Sequence, residues 1–157
     1  MENASAAAKL WRVIGASTLG KWLFAKIICF KAPYFNTIKP RITILHKNLC
    51  QAYIVQSRRV QNHIGCIHAI ALCNLAELCA GLMTDVSLPG DMRWIPKGMT
   101  VTYLRKAKGK ITARAIPVAE FYSAQEAYEM EVNVTLHDEN SIEVFGAKVS
   151  MWISKKI

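Results

Sequence analysis

Apolar and polar residues alternate along much of the second half of the chain. The clearest case is Tyr128–His137, where every second residue from Tyr128 to Leu136 is apolar and the residues between them are polar. A period of two predicts a strand with one buried face. Shorter patterns of this kind predict further strands over residues 41–46, 51–56, 99–103, 111–115 and 142–153. In the last strand the apolar residues occupy even positions at Ile142 and Val144 and odd positions from Phe145 onward. A bulge near Gly146 would explain this change.

A strongly apolar segment lies between the two groups of predicted strands. From Ala69 to Thr84 the only charged residue is Glu77. If residues 67–83 form a helix, apolar side chains cover well over half of its circumference, which is typical of a buried helix. The narrow strip that remains holds Cys73, Asn74, Glu77 and Gly81.

Three residues of this strip, Cys73, Glu77 and Gly81, follow one another at intervals of four and therefore stack along one line of the helix. A buried helix must pair, neutralise or use a carboxylate that it carries. The small neighbours would leave room beside Glu77 for a substrate or a water. The strip thus predicts a catalytic carboxylate; the alternative is a strip that simply faces solvent or a partner subunit.

Polar residues directly before the helix suggest a second part of the site. The first N–H groups of a helix have no intrahelical acceptor, and the helix dipole there favours negative charge. A developing oxyanion could therefore sit against the N–H of Ala69 or Ile70. Asn62 and His68 could orient the carbonyl, or they could be ordinary turn and capping residues around Gly65.

The order of elements predicts an α+β architecture. A helical N-terminal segment over residues 1–34 precedes a domain over residues 35–157, which contains two strands, the apolar helix and four strands. An antiparallel sheet with one apolar face must cover that face. We therefore expect a curved sheet wrapped around a central helix. Residues 84–97 are expected to be mostly loop, and residues 105–110 a hairpin turn.

The chain of 157 residues has a net charge of +9, which favours polyanionic partners. One basic cluster could hold phosphates, although most charged turns are only solvated. Its members are Arg105, Lys106, Lys108 and Lys110, together with Arg58, Arg59 and Arg114. A nucleic-acid partner is not expected, because aromatic residues are not interleaved with these basic ones.

The hydrophobic N-terminal segment is interrupted by lysines and arginines. Its uncharged runs are too short for a membrane span, and no signal-peptide pattern is evident. We expect an amphipathic helix that packs on the domain. The alternative is peripheral contact of this helix with a membrane surface.

Cysteine and histidine spacing predicts neither a metal site nor a bound cofactor. The five cysteines lack CxxC spacing and are interpreted as reduced core thiols, which favours a cytoplasmic location. His63 and His68 are five residues apart, a poor spacing for metal ligands on one face. Walker, GxGxxG and GxSxG motifs are missing, which argues against nucleotide hydrolysis, dinucleotide binding and α/β-type serine hydrolysis.

The residues Asn62, Gly65, His68 and Glu77 resemble the signature of the hotdog-fold thioesterases, in particular the PaaI-like group. That signature is Asn-x-x-Gly-x-x-His-Gly-Gly followed by a helix with an acidic residue nine places after the histidine. The segments NHIGCIHAIALCNLAELCAG and RWIPKGMTVTYLRKAKGKITA are more similar to a largely uncharacterised branch of the superfamily. The resemblance covers roughly residues 35–153.

This resemblance implies the hotdog fold and hydrolysis of an acyl-CoA thioester across a homodimer interface. Glu77 would be a general base or a nucleophile, and the Ala69 N–H would receive the oxyanion. Asn62 and His68 would position the carbonyl or the attacking water, opposite Glu77 of the other subunit. Basic residues would meet the CoA phosphates. A simple dimer and a dimer of dimers are the two alternatives for the assembly.

One position departs from the signature in a way that bears on catalysis. Ala69 and Ile70 replace the paired glycines, and the bulky Ile70 could narrow or block the acyl channel. The main alternative to a thioesterase is therefore a non-catalytic hotdog module that binds acyl groups or CoA. A peripheral membrane or nucleic-acid binder that uses the positive charge and a hotdog dehydratase are further alternatives.

Overall fold

A computed structural model describes residues 4–156, which form three α-helices and one six-stranded sheet. The helices are α1 (Ala6–Ile14), α2 (Thr18–Lys31) and α3 (Ala69–Ser87). The strands are β1 (Arg41–His46), β2 (Leu49–Val55), β3 (Met92–Tyr103), β4 (Lys110–Pro117), β5 (Tyr128–His137) and β6 (Glu143–Lys155). Short 3₁₀ helices cover Pro33–Thr37 and Arg58–Val60.

All neighbouring strands pair antiparallel, in the spatial order β1-β2-β4-β5-β6-β3. Helix α3 packs against every strand of this sheet. Leu75, Ala76 and Met83 on the helix are fully buried against inward side chains such as Val132 and Met151. The predicted architecture, a curved antiparallel sheet around a central helix, is confirmed.

Helix α3 is long and apolar enough, by length and composition, to cross a membrane. The core helix of a folded domain passes the same test, and most of α3 is buried under the sheet. Its apolar character is therefore accounted for by packing inside this domain.

The N-terminal segment contains two capped helices that share the domain's core. The hydroxyl oxygens of Ser5 and Ser17 accept hydrogen bonds from the N–H groups of Ala8 and Gly20, at 3.1 and 3.0 Å. Phe24 of α2 is fully buried and belongs to the same hydrophobic cluster as the inner faces of α3 and the sheet. The proposed division at residue 34 stays a prediction.

The connection between β3 and β4 is not the predicted hairpin turn. Strand β3 pairs with β6 at one edge of the sheet, whereas β4 lies between β2 and β5. Residues 104–109 must therefore cross the end of the sheet, and this crossing brings the basic residues to the start of α3.

The structure differs from the prediction most clearly at the apolar helix, at the start of β3 and at the bulge in β6. The apolar helix begins at Ala69 and continues to Ser87, whose hydroxyl donates to the Met83 carbonyl oxygen at 2.6 Å. Residues 92–97 belong to β3 instead of a loop, because a register shift between Pro96 and Gly98 accommodates the proline in an edge strand. The bulge in β6 lies near Val144, slightly before the predicted position.

Candidate active site

The loop before α3 is organised by Asn62. Its Oδ1 accepts hydrogen bonds from the N–H groups of Ile64 and Cys66, at 3.1 and 3.0 Å. Gly65 adopts a φ of 75°, a left-handed conformation that suits glycine. Because Oδ1 is occupied, only the Asn62 Nδ2 remains available to a ligand. Asn62 thus acts as a turn residue, and its Nδ2 has no acceptor among the residues that the structure describes.

His68 caps the start of α3. Its Nδ1 accepts a hydrogen bond from the Ile70 N–H at 3.1 Å, so a neutral His68 carries its proton on Nε2. This bond uses the Ile70 N–H, one of the two oxyanion donors that the sequence suggested. The other, the Ala69 N–H at the first helical position, has no acceptor within residues 4–156. The helix start therefore offers Ala69 as its backbone donor.

The crossing segment between β3 and β4 is fastened to this loop. Ile67 N–H donates to the Ala107 carbonyl oxygen at 2.8 Å, which places the segment beside the helix start. Gln56 makes three further bonds: its N–H donates to the Gly109 carbonyl, its Oε1 accepts from the Gly109 N–H, and its Nε2 donates to the Gly65 carbonyl. Sequence reasoning missed Gln56, because its role depends on the crossing.

The basic side chains of this segment, Arg105, Lys106 and Lys108, are all exposed, whereas Ala107 between them is buried. They therefore extend into solvent near the N-terminus of α3. Arg58 and Arg59 precede the Asn62 loop and are exposed as well. Cations and the positive end of the helix dipole thus lie at the same end of the molecule.

Glu77 is exposed and lies on the part of α3 that faces the edge strand β3. One turn before it, the Cys73 Sγ lies 3.3 Å from the Tyr103 hydroxyl. The hydrogen bond with Cys73, together with desolvation, raises the pKa of Tyr103 to about 12, so this hydroxyl stays protonated in neutral solution. Glu77 therefore has a hydrogen-bonded Cys73–Tyr103 pair on its N-terminal side.

One turn after Glu77 the room predicted beside Gly81 is already filled. Gly81 is buried, and a Cβ atom built on it would lie 2.7 Å from the Cη2 atom of Trp94. Asn74, predicted on the open strip, is also buried, and its Nδ2 donates to the Thr37 hydroxyl at 3.1 Å. The open strip is thus narrower than the helical wheel indicates.

An apolar groove of about 290 Å³ begins at Glu77 and continues along α3. Helices α1 and α2, the first 3₁₀ helix and β3 supply the rest of its wall. Its lining includes Ile28, Lys31, Phe35, Leu78, Gly81, Leu82, Trp94 and Pro96. Ile70 does not line this groove: it is an exposed residue seven positions before Glu77, about 10 Å along the helix axis.

A second carboxylate, Asp85, lines the far end of the same groove. It follows Gly81 by four residues and accepts a hydrogen bond from the Trp94 Nε1 at 3.4 Å. Sequence reasoning ended the helix at residue 83 and so did not place Asp85 on this line. Asp85 orients the indole that covers Gly81.

Ala69 and Glu77 cannot contact one carbonyl group within a single chain. Eight residues separate them, which corresponds to about 12 Å along a helix. A carbonyl oxygen within hydrogen-bond distance of the Ala69 N–H is therefore far from Glu77 of the same chain.

Comparison with known sequences places the chain in a family. A family described as a domain of unknown function (DUF4442) matches residues 20–153. The chain belongs to this family. A structural-genomics protein with a crystal structure, APC5556, is 36% identical, with a TM-score of 0.81 over 96% of this chain and 99% of that one. A search of curated proteins gave no match.

Other solved structures share the fold at lower identity. The thioesterase HI1161 from Haemophilus influenzae is 16% identical, with a TM-score of 0.68 over 78% of this chain and 82% of that chain. PA5026 from Pseudomonas aeruginosa, a protein of unknown function described as a probable thioesterase, is 23% identical, with a TM-score of 0.67 over 82% and 91%. The predicted hotdog fold is confirmed, whereas the thioesterase superfamily and its PaaI-like group stay predictions.

Proposed function

We propose that the protein hydrolyses acyl thioesters, with acyl-CoA as the substrate class. The observation that carries this proposal is the position of Glu77, an exposed carboxylate at the mouth of an apolar groove. The groove suits an acyl chain, because burying each CH₂ group in an apolar site contributes about 0.8 kcal/mol. The free Ala69 N–H supplies a donor for the oxyanion that forms when the thioester carbonyl is attacked.

Glu77 can act in either of two ways. As a general base it takes a proton from water while the water oxygen adds to the carbonyl carbon; the C–S bond then breaks, and the thiolate leaves with that proton. As a nucleophile its carboxylate oxygen adds to the carbon, the thiolate leaves, and water hydrolyses the mixed anhydride. Both routes place negative charge on the carbonyl oxygen, opposite the Ala69 N–H.

A second copy of the chain would complete the site. Since Ala69 and Glu77 of one chain are about 12 Å apart, the carboxylate that faces Ala69 would come from the partner. Strand β3 supports a homodimer: its outer edge is unpaired within the described residues, and it exposes Ile95, Met99 and Tyr103. A long exposed edge strand with apolar residues is a template for strand pairing. A dimer of dimers would require a further surface.

In this arrangement the two ends of the substrate meet different chains. The acyl chain follows the groove from Glu77 of one protomer. The CoA moiety extends past Ala69 of the partner, near the exposed Arg105, Lys106 and Lys108. Their charges favour the CoA phosphates. His68 Nε2 and Asn62 Nδ2, which have no partner in the described part of the chain, would orient the carbonyl or the attacking water.

A non-catalytic acyl or CoA carrier is the second candidate. It is favoured by the bond from the Ile70 N–H to His68 Nδ1, which leaves a single backbone donor at the helix start. Oxyanion holes that lose one donor typically lose about 10²–10³ in kcat. Such a protein would bind acyl-CoA without turnover.

Steady-state hydrolysis of an acyl-CoA panel separates the two candidates. Glu77→Gln should lower kcat by about 10²–10⁴ and leave the affinity for acyl-CoA within a few-fold. Asp85→Asn is the matched control, because it removes the other carboxylate of the groove and keeps an oxygen acceptor for Trp94. Equal turnover in wild type and Glu77→Gln would refute this role for Glu77, and binding without turnover in the wild type would establish the carrier.

A further inference from the structure

All of the net charge lies in the first half of the chain. Residues 1–76 contain ten lysines and arginines and one acidic residue, Glu2, whereas residues 77–157 contain ten of each kind. The net charge of +9 therefore belongs to the part that forms α1, α2, β1, β2 and the Asn62 loop. Residues 4–76 contain no carboxylate side chain, although Glu120 from the second half of the chain pairs with Lys47 at 3.0 Å. Among the described residues no salt bridge forms to Lys21, Lys26, Lys39 or Arg41, so the surface around α2 favours an anionic partner.

Helix α2 is apolar on two opposite sides. Phe24, Ala25 and Cys29 are buried against the domain. On the outer side, Leu19, Leu23 and Phe30 remain 73%, 43% and 86% exposed. Together with Lys26 they form a line about 16 Å long, which we call the α2 face. A surface helix normally keeps its outer side polar, so this face has the character of a binding surface.

Cations and aromatic rings border the α2 face. Lys26 Nζ lies 5.7 Å from the centroid of the Trp22 ring. A cleft of about 600 Å³ between α2 and strands β1 and β2 is lined by Lys21 and Arg41, and a smaller one by Lys26, Lys39 and Arg41. Val13 before α2 and Tyr34 after it are also exposed, at 79% and 68%.

We propose that the α2 face docks on an anionic lipid bilayer. Leu19, Leu23 and Phe30 enter between the headgroups, and the surrounding lysines and arginines meet lipid phosphates. Trp22 and Tyr34 suit the membrane–water boundary, where amphipathic rings are favoured. A second copy of the same face is a poor partner, because it would bring two carboxylate-free, basic surfaces together.

Vesicle co-sedimentation tests this proposal. The protein should bind vesicles of phosphatidylcholine mixed with phosphatidylglycerol at least tenfold more tightly than vesicles of phosphatidylcholine alone, and salt should weaken the binding. Leu23→Ser/Phe30→Ser should weaken it about tenfold or more, since it removes two apolar side chains without changing the charge. Lys26→Gln/Lys39→Gln should make the salt dependence shallower.

The matched control is Val118→Ser/Ile142→Ser, which removes two exposed apolar residues from the neutral half of the chain. It should bind like the wild type, and urea midpoints should show that both serine variants remain folded. Equal binding to both kinds of vesicle, or equal binding by both serine variants, would overturn the proposal. So would a Leu23→Ser/Phe30→Ser protein whose oligomer has a different mass in solution from the wild type but which binds vesicles as the wild type does. The last result would assign the face to self-association.

Discussion

Trp94 covers Gly81 so closely that a Cβ atom at position 81 would lie 2.7 Å from the indole Cη2. Gly81→Ala therefore has two opposing effects. Replacing a glycine inside a helix stabilises it by about 1 kcal/mol, and overpacking a filled site costs about 1–3 kcal/mol. We expect a net loss of about 1 kcal/mol in the free energy of unfolding, measured by urea denaturation.

The same substitution in a Trp94→Leu background provides the control. Without the indole the overpacking cost disappears, so Gly81→Ala should then raise the free energy of unfolding by up to about 1 kcal/mol. An equal effect in both backgrounds would show that Trp94 is not the reason for the glycine.

The stability of the protein should depend more on the side-chain oxygen of Asn62 than on its amide nitrogen. Its Oδ1 accepts two backbone N–H bonds, so Asn62→Ala leaves those donors without their partner and should cost about 1–3 kcal/mol of stability. Asn62→Asp keeps the acceptor, and its urea midpoint should stay close to that of the wild type. Because Asn62→Asp loses the Nδ2 donor, its turnover should nevertheless fall by about tenfold. Wild-type turnover in Asn62→Asp would limit Asn62 to its role in the turn.

If the protein is the proposed thioesterase, we expect the groove to set its preferred acyl length. Glu77 and Asp85 mark its two ends and are about 12 Å apart along α3. An extended chain covers about 3.5 Å for every three bonds, so about ten bonds fill this length. Ile28→Trp should lower kcat/KM for acyl chains of about ten carbons at least tenfold and leave short acyl chains nearly unaffected.

Ile116→Trp on β4 is the control for this substitution, because Ile116 is exposed and lies outside the groove. It should leave the chain-length profile unchanged. A parallel loss for short and long chains in Ile28→Trp would contradict an acyl site in the groove.

Local sequence patterns were sufficient to predict those helices and strands that bury one face and expose the other. Strands β1 and β5 have the predicted bounds, and in β5 the alternation reports a half-buried strand directly. The central helix was also recognisable, since its apolar surface has to be covered. These elements account for the correct architecture.

The pairing of strands that are distant in the sequence, and contacts between individual side chains, could not be predicted from local sequence patterns. Nothing local to residues 104–109 indicates that β3 pairs with β6, so the crossing, and with it the role of Gln56, could not be predicted. The filled space at Gly81 depends on Trp94, which lies on another element. Asp85 was missed because the helix continues beyond the point where its apolar pattern weakens.

A mixed dimer tests the central claim most directly, because the proposed site needs Ala69 from one chain and Glu77 from the other. Ala69→Pro removes the proposed oxyanion donor. Proline is favoured at the first position of a helix, and His68 already has the extended backbone (φ −64°, ψ 139°) that a following proline requires. Each single variant, Ala69→Pro or Glu77→Gln, should form an inactive dimer.

The mixed dimer contains one Ala69→Pro chain and one Glu77→Gln chain. Co-expression with two affinity tags would allow this dimer to be isolated and its hydrolysis of acyl-CoA to be measured. One of its two sites combines an intact Ala69 N–H with an intact Glu77, so it should recover about half of the wild-type activity. A mixed dimer as inactive as its parents, or a fully active Ala69→Pro protein, would contradict the shared thioesterase site.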